Sequence, residues 1–234
     1  MAALVQNMRM IAVYHKGKNL KNISHLDVQR TLQRAFRRAC LPLLFSNGFN
    51  PHPQLSFASA LATGTSSDAE WFDVELAENM EPQRFIDCVN VVMPEGFWLS
   101  DAFIAPDSFG SLSSKTRAAL YDVHVAFDRP ISGQTMEDSI EALLSGEIMI
   151  NKRTKGGMKS VDLRPQIQKV SVTGIEGTMC SLRVLGRLQA DGGLRVEHLL
   201  DVLSDRLDAQ YTADVHRVAL YFADDGLLPR LPQD

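Results

Sequence analysis

The chain has 234 residues, 45% of them hydrophobic and 22% charged, a balance that fits one large or two small folded domains and argues against disorder. No apolar run approaches the roughly 20 residues that span a bilayer, and Met1 to Asn7 is too short and too weakly patterned for a leader, so the sequence predicts a cytoplasmic protein with no membrane partner. Cys40, Cys88 and Cys180 are far apart with no CxxC pair, which speaks against a disulfide framework or a cysteine-rich metal or iron–sulfur site; they are expected to be buried thiols, and neither a metal nor a cofactor is expected.

The net charge of −4 conceals an alternation. Residues 1–60 carry eight Lys and Arg against one Asp, a balance of +7, and residues 61–145 carry −11, residues 146–188 +5 and residues 189–234 −5. Two basic blocks suit phosphate contacts with a polyanion, while the acidic remainder keeps the protein in solution. The plainer alternative is that the charges mix on the folded surface.

In chain order, Arg9 to His15 reads as a strand and the polar stretch from Lys16 to Asn22 as a loop. A helix is expected from Ser24, whose hydroxyl with Asp27 three places on makes a capping-box-like start. Val28, Leu32, Ala35, Phe36 and Ala39 form an apolar stripe on it, and Arg30, Arg34, Arg37 and Arg38 fall on or beside the opposite face. Pro42 stops the helix. Leu43 to Phe45 then reads as a short buried strand, and Gln54 to Ala60 as its return. The intervening Ser46-Asn47-Gly48-Phe49-Asn50-Pro51-His52-Pro53 is a loop stiffened by two prolines. Trp71 to Leu76 is a strand, Glu81-Pro82 opens a second helix with Phe85, Cys88, Val89 and Val92 at helical spacing, and Phe97 to Ile104 is a strand. This order, β-α-β-β-α-β, is that of a ferredoxin-like unit.

Ala105 to Arg117 is rich in Ser, Pro and Gly and reads as a linker. A second set of elements follows. Strands are expected over Tyr121 to Phe127, Ile148 to Ile150, Ser160 to Leu163, Ile167 to Val172, Met179 to Leu188 and Val215 to Phe222, with helices over Met136 to Leu144 and Val196 to Leu207. The expected fold is α+β with two tandem ferredoxin-like (βαββαβ) units: residues 1–105, a linker over 106–118, and residues 119–234.

Three groups of residues carry candidate chemistry. The first is the arginine face Arg30, Arg34, Arg37 and Arg38. The second is the loop, where Asn50 and His52 are candidates to read or orient RNA, and Phe49 is the aromatic expected to be exposed, with Phe45 and Phe57 in the core. The third is the turn Asn151 to Ser160, in which Lys152, Arg153, Lys155 and Lys159 surround Gly156-Gly157 and can follow a phosphate backbone. Asp162-Leu163-Arg164-Pro165 after it is expected to fix a turn. His25 and His52 also suit general acid–base catalysis, yet no HxH, HxxxH or HxxE spacing accompanies them. No nucleotide-binding glycine loop or nucleophile motif is present.

The runs Ile23-Ser24-His25-Leu26-Asp27, Arg34-Ala35-Phe36-Arg37-Arg38-Ala39, Leu41-Pro42, Ser46 to Pro53, Leu55-Ser56-Phe57-Ala58 with Gly64, and later Asp162-Leu163-Arg164-Pro165, closely resemble the radical SAM-associated (radical SAM-linked) protein family of bacteria. Gln54 stands where that family usually has a basic residue, and Ala60 where it usually has Pro. The resemblance implies an accessory role beside a radical SAM protein. With the basic blocks, it gives the expectation of a non-catalytic RNA-binding protein acting in tRNA or rRNA modification. The alternatives are a metal-free RNA-processing endonuclease using His25 or His52, and an adaptor that binds only the radical SAM partner.

Overall fold

The computed structural model describes residues 7–154, 157–189, 192–223 and 226–231. The fold is α+β, and the chain divides into two compact units, the first ending at Thr116.

The first unit runs β1 (Met8–Lys16), α1 (His25–Arg38), β2 (Leu55–Phe57), β3 (Thr65–Leu76), α2 (Pro82–Asn90), β4 (Phe97–Ile104) and a single helical turn, α3 (Leu112–Lys115). Its strands lie in the order β2-β3-β1-β4, and each adjacent pair is antiparallel. Helix α1 begins as its sequence dictates. Ser24 Oγ accepts from the Asp27 amide at 3.2 Å and donates to Asp27 Oδ2 at 2.7 Å, which satisfies one of the first-turn N–H groups and places a negative charge at the positive helix end. Its apolar stripe, Val28, Leu32, Ala35 and Phe36, is fully buried. With Phe72, Phe85, Tyr14 and Leu99 it forms the core between helices and sheet, each large side chain contributing roughly 1.5 to 3 kcal/mol on burial.

Three details depart from the sequence reading. Leu43 to Phe45 makes only isolated bridges, Leu43 to Leu76 and Phe45 to Pro53. Pro53 has no N–H with which to extend a ladder, and Phe45 is 41% exposed and not a core residue. Cys40 is exposed, not buried, because it occupies the left-handed position (φ 52°) that ends α1. Third, the stretch read as a linker is tied down: Phe109 and Leu112 are buried, residues 112–115 form α3, and Arg9 Nη1 donates to the carbonyls of Phe109 and Gly110 at 2.9 and 3.1 Å.

The second unit runs β5 (Thr116–Phe127), α4 (Gly133–Leu144), β6 (Met149–Thr154), β7 (Gly157–Asp162), β8 (Ile167–Glu176), β9 (Met179–Gln189), β10 (Gly192–Gly193), α5 (Val196–Leu207) and β11 (Tyr211–Phe222). Its strands are ordered β8-β9-β5-β11, with β10 on the end of β9. Helices α4 and α5 bury Met136, Ile140, Leu143, Leu199, Leu200 and Leu203. Strands β6 and β7 pair with each other as a separate ribbon inserted between α4 and β8. Among the described residues, no helix is long and apolar enough to cross a membrane.

Candidate nucleic-acid interface

The cationic side of α1 is the first component. Arg30, Arg34, Arg37 and Arg38 are all exposed, and at 100° per residue they fall within one face opposite the buried stripe. Arg30 Nη1 pairs with Asp27 Oδ1 at 3.1 Å, Arg34 Nε donates to the Arg30 carbonyl at 3.2 Å, and Arg38 donates to the Val92 carbonyl at the end of α2. The Arg30 partner also explains why the Asp27 carboxyl lies below its ordinary range: the Ser24 hydroxyl is the larger cause and the Arg30 guanidinium the next.

Not all of the first basic block is on the surface. Lys16 is 1% exposed, and its ammonium donates to the carbonyls of Lys21 and Ile23 at 2.9 and 3.1 Å, holding the connection into α1. Arg9 pairs with Asp73 at 2.8 Å. Arg30, Arg34 and Arg37 thus stand apart from cations that hold the fold, whereas Arg38 is exposed and also tied to Val92.

The loop from Ser46 to Pro53 is the second component. The Ser46 amide donates to the His52 carbonyl at 2.8 Å, the His52 amide donates to Ser46 Oγ at 3.2 Å, and Ser46 Oγ lies 3.0 Å from His52 Nδ1. Nδ1 is also 3.3 Å from the Asn50 carbonyl. Both contacts engage Nδ1, so the ring is oriented by the loop and Nε2 is left for an external group. Gln54 Nε2 donates to the Phe45 carbonyl at 3.2 Å and so closes the loop stem. Gly48, at φ 133°, allows the turn that carries Phe49 outward; Phe49 is fully exposed at 105%, and Asn50 beside it is exposed too. The sequence reading had assigned no part to Ser46. Its signal was available: a small hydroxyl at the mouth of a loop, where such side chains bind nearby backbone amides.

His25 and His52 have different surroundings. His25 is half-buried at the start of α1, edge-on to the Phe57 ring with centroids 4.7 Å apart, whereas the named partners of His52 belong to its own loop. Among the described residues no group of three or more His, Cys, Asp or Glu side chains is placed to hold a metal ion.

The β6–β7 ribbon is the third component. Its register sets Lys152 directly opposite Lys159, Asn151 opposite Ser160 and Arg153 opposite Met158. Lys152 and Lys159 are exposed, and directly opposed residues share a face of the ribbon. Lys155 lies outside the described residues. The ribbon base is fixed by Asp162, whose Oδ1 accepts from the amides of Ile148 and Arg164, both at 2.9 Å. Arg164 in turn donates to the carbonyls of Leu144 and Ile167 at 2.6 and 2.9 Å. The Asp162-Leu163-Arg164-Pro165 run is therefore a turn clamp, as its sequence suggested.

Comparison with known proteins adds fold and family. None of the curated proteins matches this chain. Among solved structures, a chain from the crystal structure of a Cbf5-Nop10-Gar1 complex matches with a TM-score of 0.56 at 13% identity, over 95% of this chain and 52% of that one. A chain from the structure of an H/ACA RNP bound to a substrate RNA containing 2′-deoxyuridine matches with a TM-score of 0.51 at 12% identity, over 89% of this chain and 46% of that one. The protein thus spans about half the length of the chains it matches, and at these identities the likeness is one of fold. Residues 9–195 match the family model described as "Uncharacterized protein conserved in bacteria (DUF2344)", and the chain belongs to that family.

Proposed function

We propose that the protein is a non-catalytic RNA-binding accessory factor that works with a radical SAM enzyme in tRNA or rRNA modification. The observation that carries the reading is the exposed arginine face of α1, four guanidinium groups on the side of the helix opposite its buried stripe. In this reading the two units are ferredoxin-like, and Arg30, Arg34, Arg37 and Arg38 bind phosphates. Lys152, Arg153, Lys155 and Lys159 do the same from the ribbon. Asn50 and His52 orient the RNA from their pinned loop, and Phe49 stacks on an unpaired base. The fold likeness to a chain from the structure of an H/ACA RNP bound to a substrate RNA is consistent with this and supplies no site residue. The radical SAM partner rests on the sequence resemblance alone.

The test is binding of purified protein to total tRNA and to rRNA at low salt. Binding is expected, and the Arg34→Glu/Arg38→Glu variant should weaken it at least tenfold, since four units of charge change on a phosphate-binding face. No binding, or equal binding by the variant, overturns the reading. Capture of the radical SAM protein in a nuclease-resistant complex that carries no RNA would favour the adaptor alternative.

A further inference from the structure

Strands β5 and β9 turn alternate residues to opposite sides of the second unit's sheet. Tyr121, Val123, Val125, Leu182 and Val184 form the buried row on the side of the helices. The other row is read from the register. Leu120 faces Leu185, Asp122 faces Arg183 and His124 faces Ser181, while on the far side of β9, Lys169 faces Leu185 and Ser171 faces Arg183.

This row is organised. Arg183 Nε and Nη2 donate to the two oxygens of Asp122 at 2.8 and 3.1 Å, and His124 Nδ1 lies 3.0 Å from Ser181 Oγ. The bidentate pair fixes the guanidinium beside Asp122 and uses two of its five donors. A depression of about 260 Å³ opens beside it. Leu185, Leu120 and Tyr221, on the adjacent strands β9, β5 and β11, make its floor, Leu231 adds to the apolar lining, and the exposed Lys169 and Arg183, with Ser171, supply the polar rim. The space is smaller than the roughly 300 Å³ at which sites for drug-sized ligands begin. It suits a single flat ring system with an anionic group beside it.

We propose that this sheet face binds one unpaired nucleotide of an RNA strand. The base stacks on Tyr221 over Leu120 and Leu185, and the adjoining phosphate meets Lys169 and the free donors of Arg183. Two observations favour this occupant. The apolar floor with one ring is the usual platform for a base, and both rim cations come from the block of residues 146–188, which carries a net +5. An acidic peptide would gain the rim charges and have no use for the ring. The ligand class rests on the RNA-binding reading above, but the site shares no residue with the α1 face, the loop or the ribbon.

The test uses the full chain and fluorescein-labelled oligo(A) and oligo(U) RNA dodecamers. Binding read by fluorescence anisotropy should fall about tenfold in Tyr221→Leu and again in Lys169→Glu. A dodecamer carrying 4-thiouridine should crosslink on irradiation to the peptide containing Tyr221. Circular dichroism checks that Tyr221→Leu folds, and the exposed Lys169→Glu substitution tests the same site without touching its floor. If both folded variants bind within twofold of the parent, or if crosslinks map only to other peptides, the proposal is overturned. Competition by AMP distinguishes a free nucleotide from an RNA strand as the ligand: displacement of the oligomers by equimolar AMP would overturn the strand assignment. Loss of binding confined to Arg34→Glu/Arg38→Glu would sink this site and leave the proposed function standing; loss confined to Tyr221→Leu and Lys169→Glu would do the reverse. Failure of both tRNA and oligomers to bind ends both.

Discussion

Asp122 and Arg183 face each other across β5 and β9, and the hydrogen bonds from Arg183 are the main reason the Asp122 carboxyl lies below its ordinary value, with the nearby His124 and His216 adding to the effect. A carboxyl more acidic in the folded state than in the unfolded one stabilises the fold above its unfolded pKa, about 3.9, and that contribution is lost as pH falls through the folded value. Asp122→Asn should therefore be less stable than the parent to urea at pH 7, and the gap should begin to narrow below about pH 4 and go on closing as the pH falls further. An equal gap at both pH values would show that the substitution acts through packing. At this scale the sequence was only partly legible. Arg9, Lys16 and Arg34 are all cations of the first basic block, yet one pairs with Asp73, one caps buried carbonyls and only the third reaches outward. What separates them is which strand or helix face each occupies and what the fold brings against it, and a charge count holds neither. The α1 arginines were legible because a helix with a strong apolar stripe fixes its opposite face without help from the rest of the chain.

Among the elements, α1 ends in a recognisable device with an unusual residue in it. The Leu41 amide donates to the Phe36 carbonyl and the Cys40 amide to the Arg37 carbonyl, both at 3.1 Å, and Leu41 and Phe36 are both buried. This is the paired-bond helix terminus that normally has glycine at the left-handed position; here Cys40 holds it at φ 52°. The left-handed conformation costs a residue with a Cβ roughly 1 to 2 kcal/mol, and glycine gives back about 0.4 to 1 kcal/mol through its freer unfolded chain. Cys40→Gly should accordingly gain roughly 0.5 to 1 kcal/mol in chemical denaturation; a loss of stability would mean that the exposed thiol makes a contact worth more than the strain. The same element-level view explains what sequence order could and could not give. Helix α5 begins and ends at the predicted residues, Val196 and Leu207, because leucines at helical spacing leave one solution. Strand β3 starts at Thr65, six residues before the predicted Trp71: its opening residues Thr65, Ser66 and Ser67 are buried and polar, so they show no apolar alternation, and Ser67 is matched to Lys16 of β1 only by the fold.

For the whole molecule, the proposed function makes a quantitative demand. If several arginines and lysines neutralise phosphates, the logarithm of the tRNA association constant should fall linearly with the logarithm of salt concentration, and Arg34→Ala/Arg38→Ala should reduce that slope by about 1.5 to 2. A slope unchanged by the double substitution would show that the α1 face touches no phosphate. The α+β class was readable from element order, since the alternation of strand and helix signals survives errors of several residues at each boundary. The site was less so. Its helix and loop lie in one continuous stretch, whereas the row on β5, β8 and β9 exists only after β5 is set in register against the β8–β9 hairpin, with Asp122 and Arg183 61 residues apart in the chain.

Lys152 and Lys159 stand directly opposite each other on a ribbon that, among the described residues, pairs with no other strand. Like charges so placed destabilise the pairing that brings them together. Any anion that settles between them removes that repulsion, so ligand binding and ribbon closure are thermodynamically linked: an anion present at 100 times its dissociation constant adds about 2.7 kcal/mol to the paired state. If the proposed polyanion binds there, the ribbon would report occupancy through its own stability, with the bound anion serving as the counterion that the sequence omits.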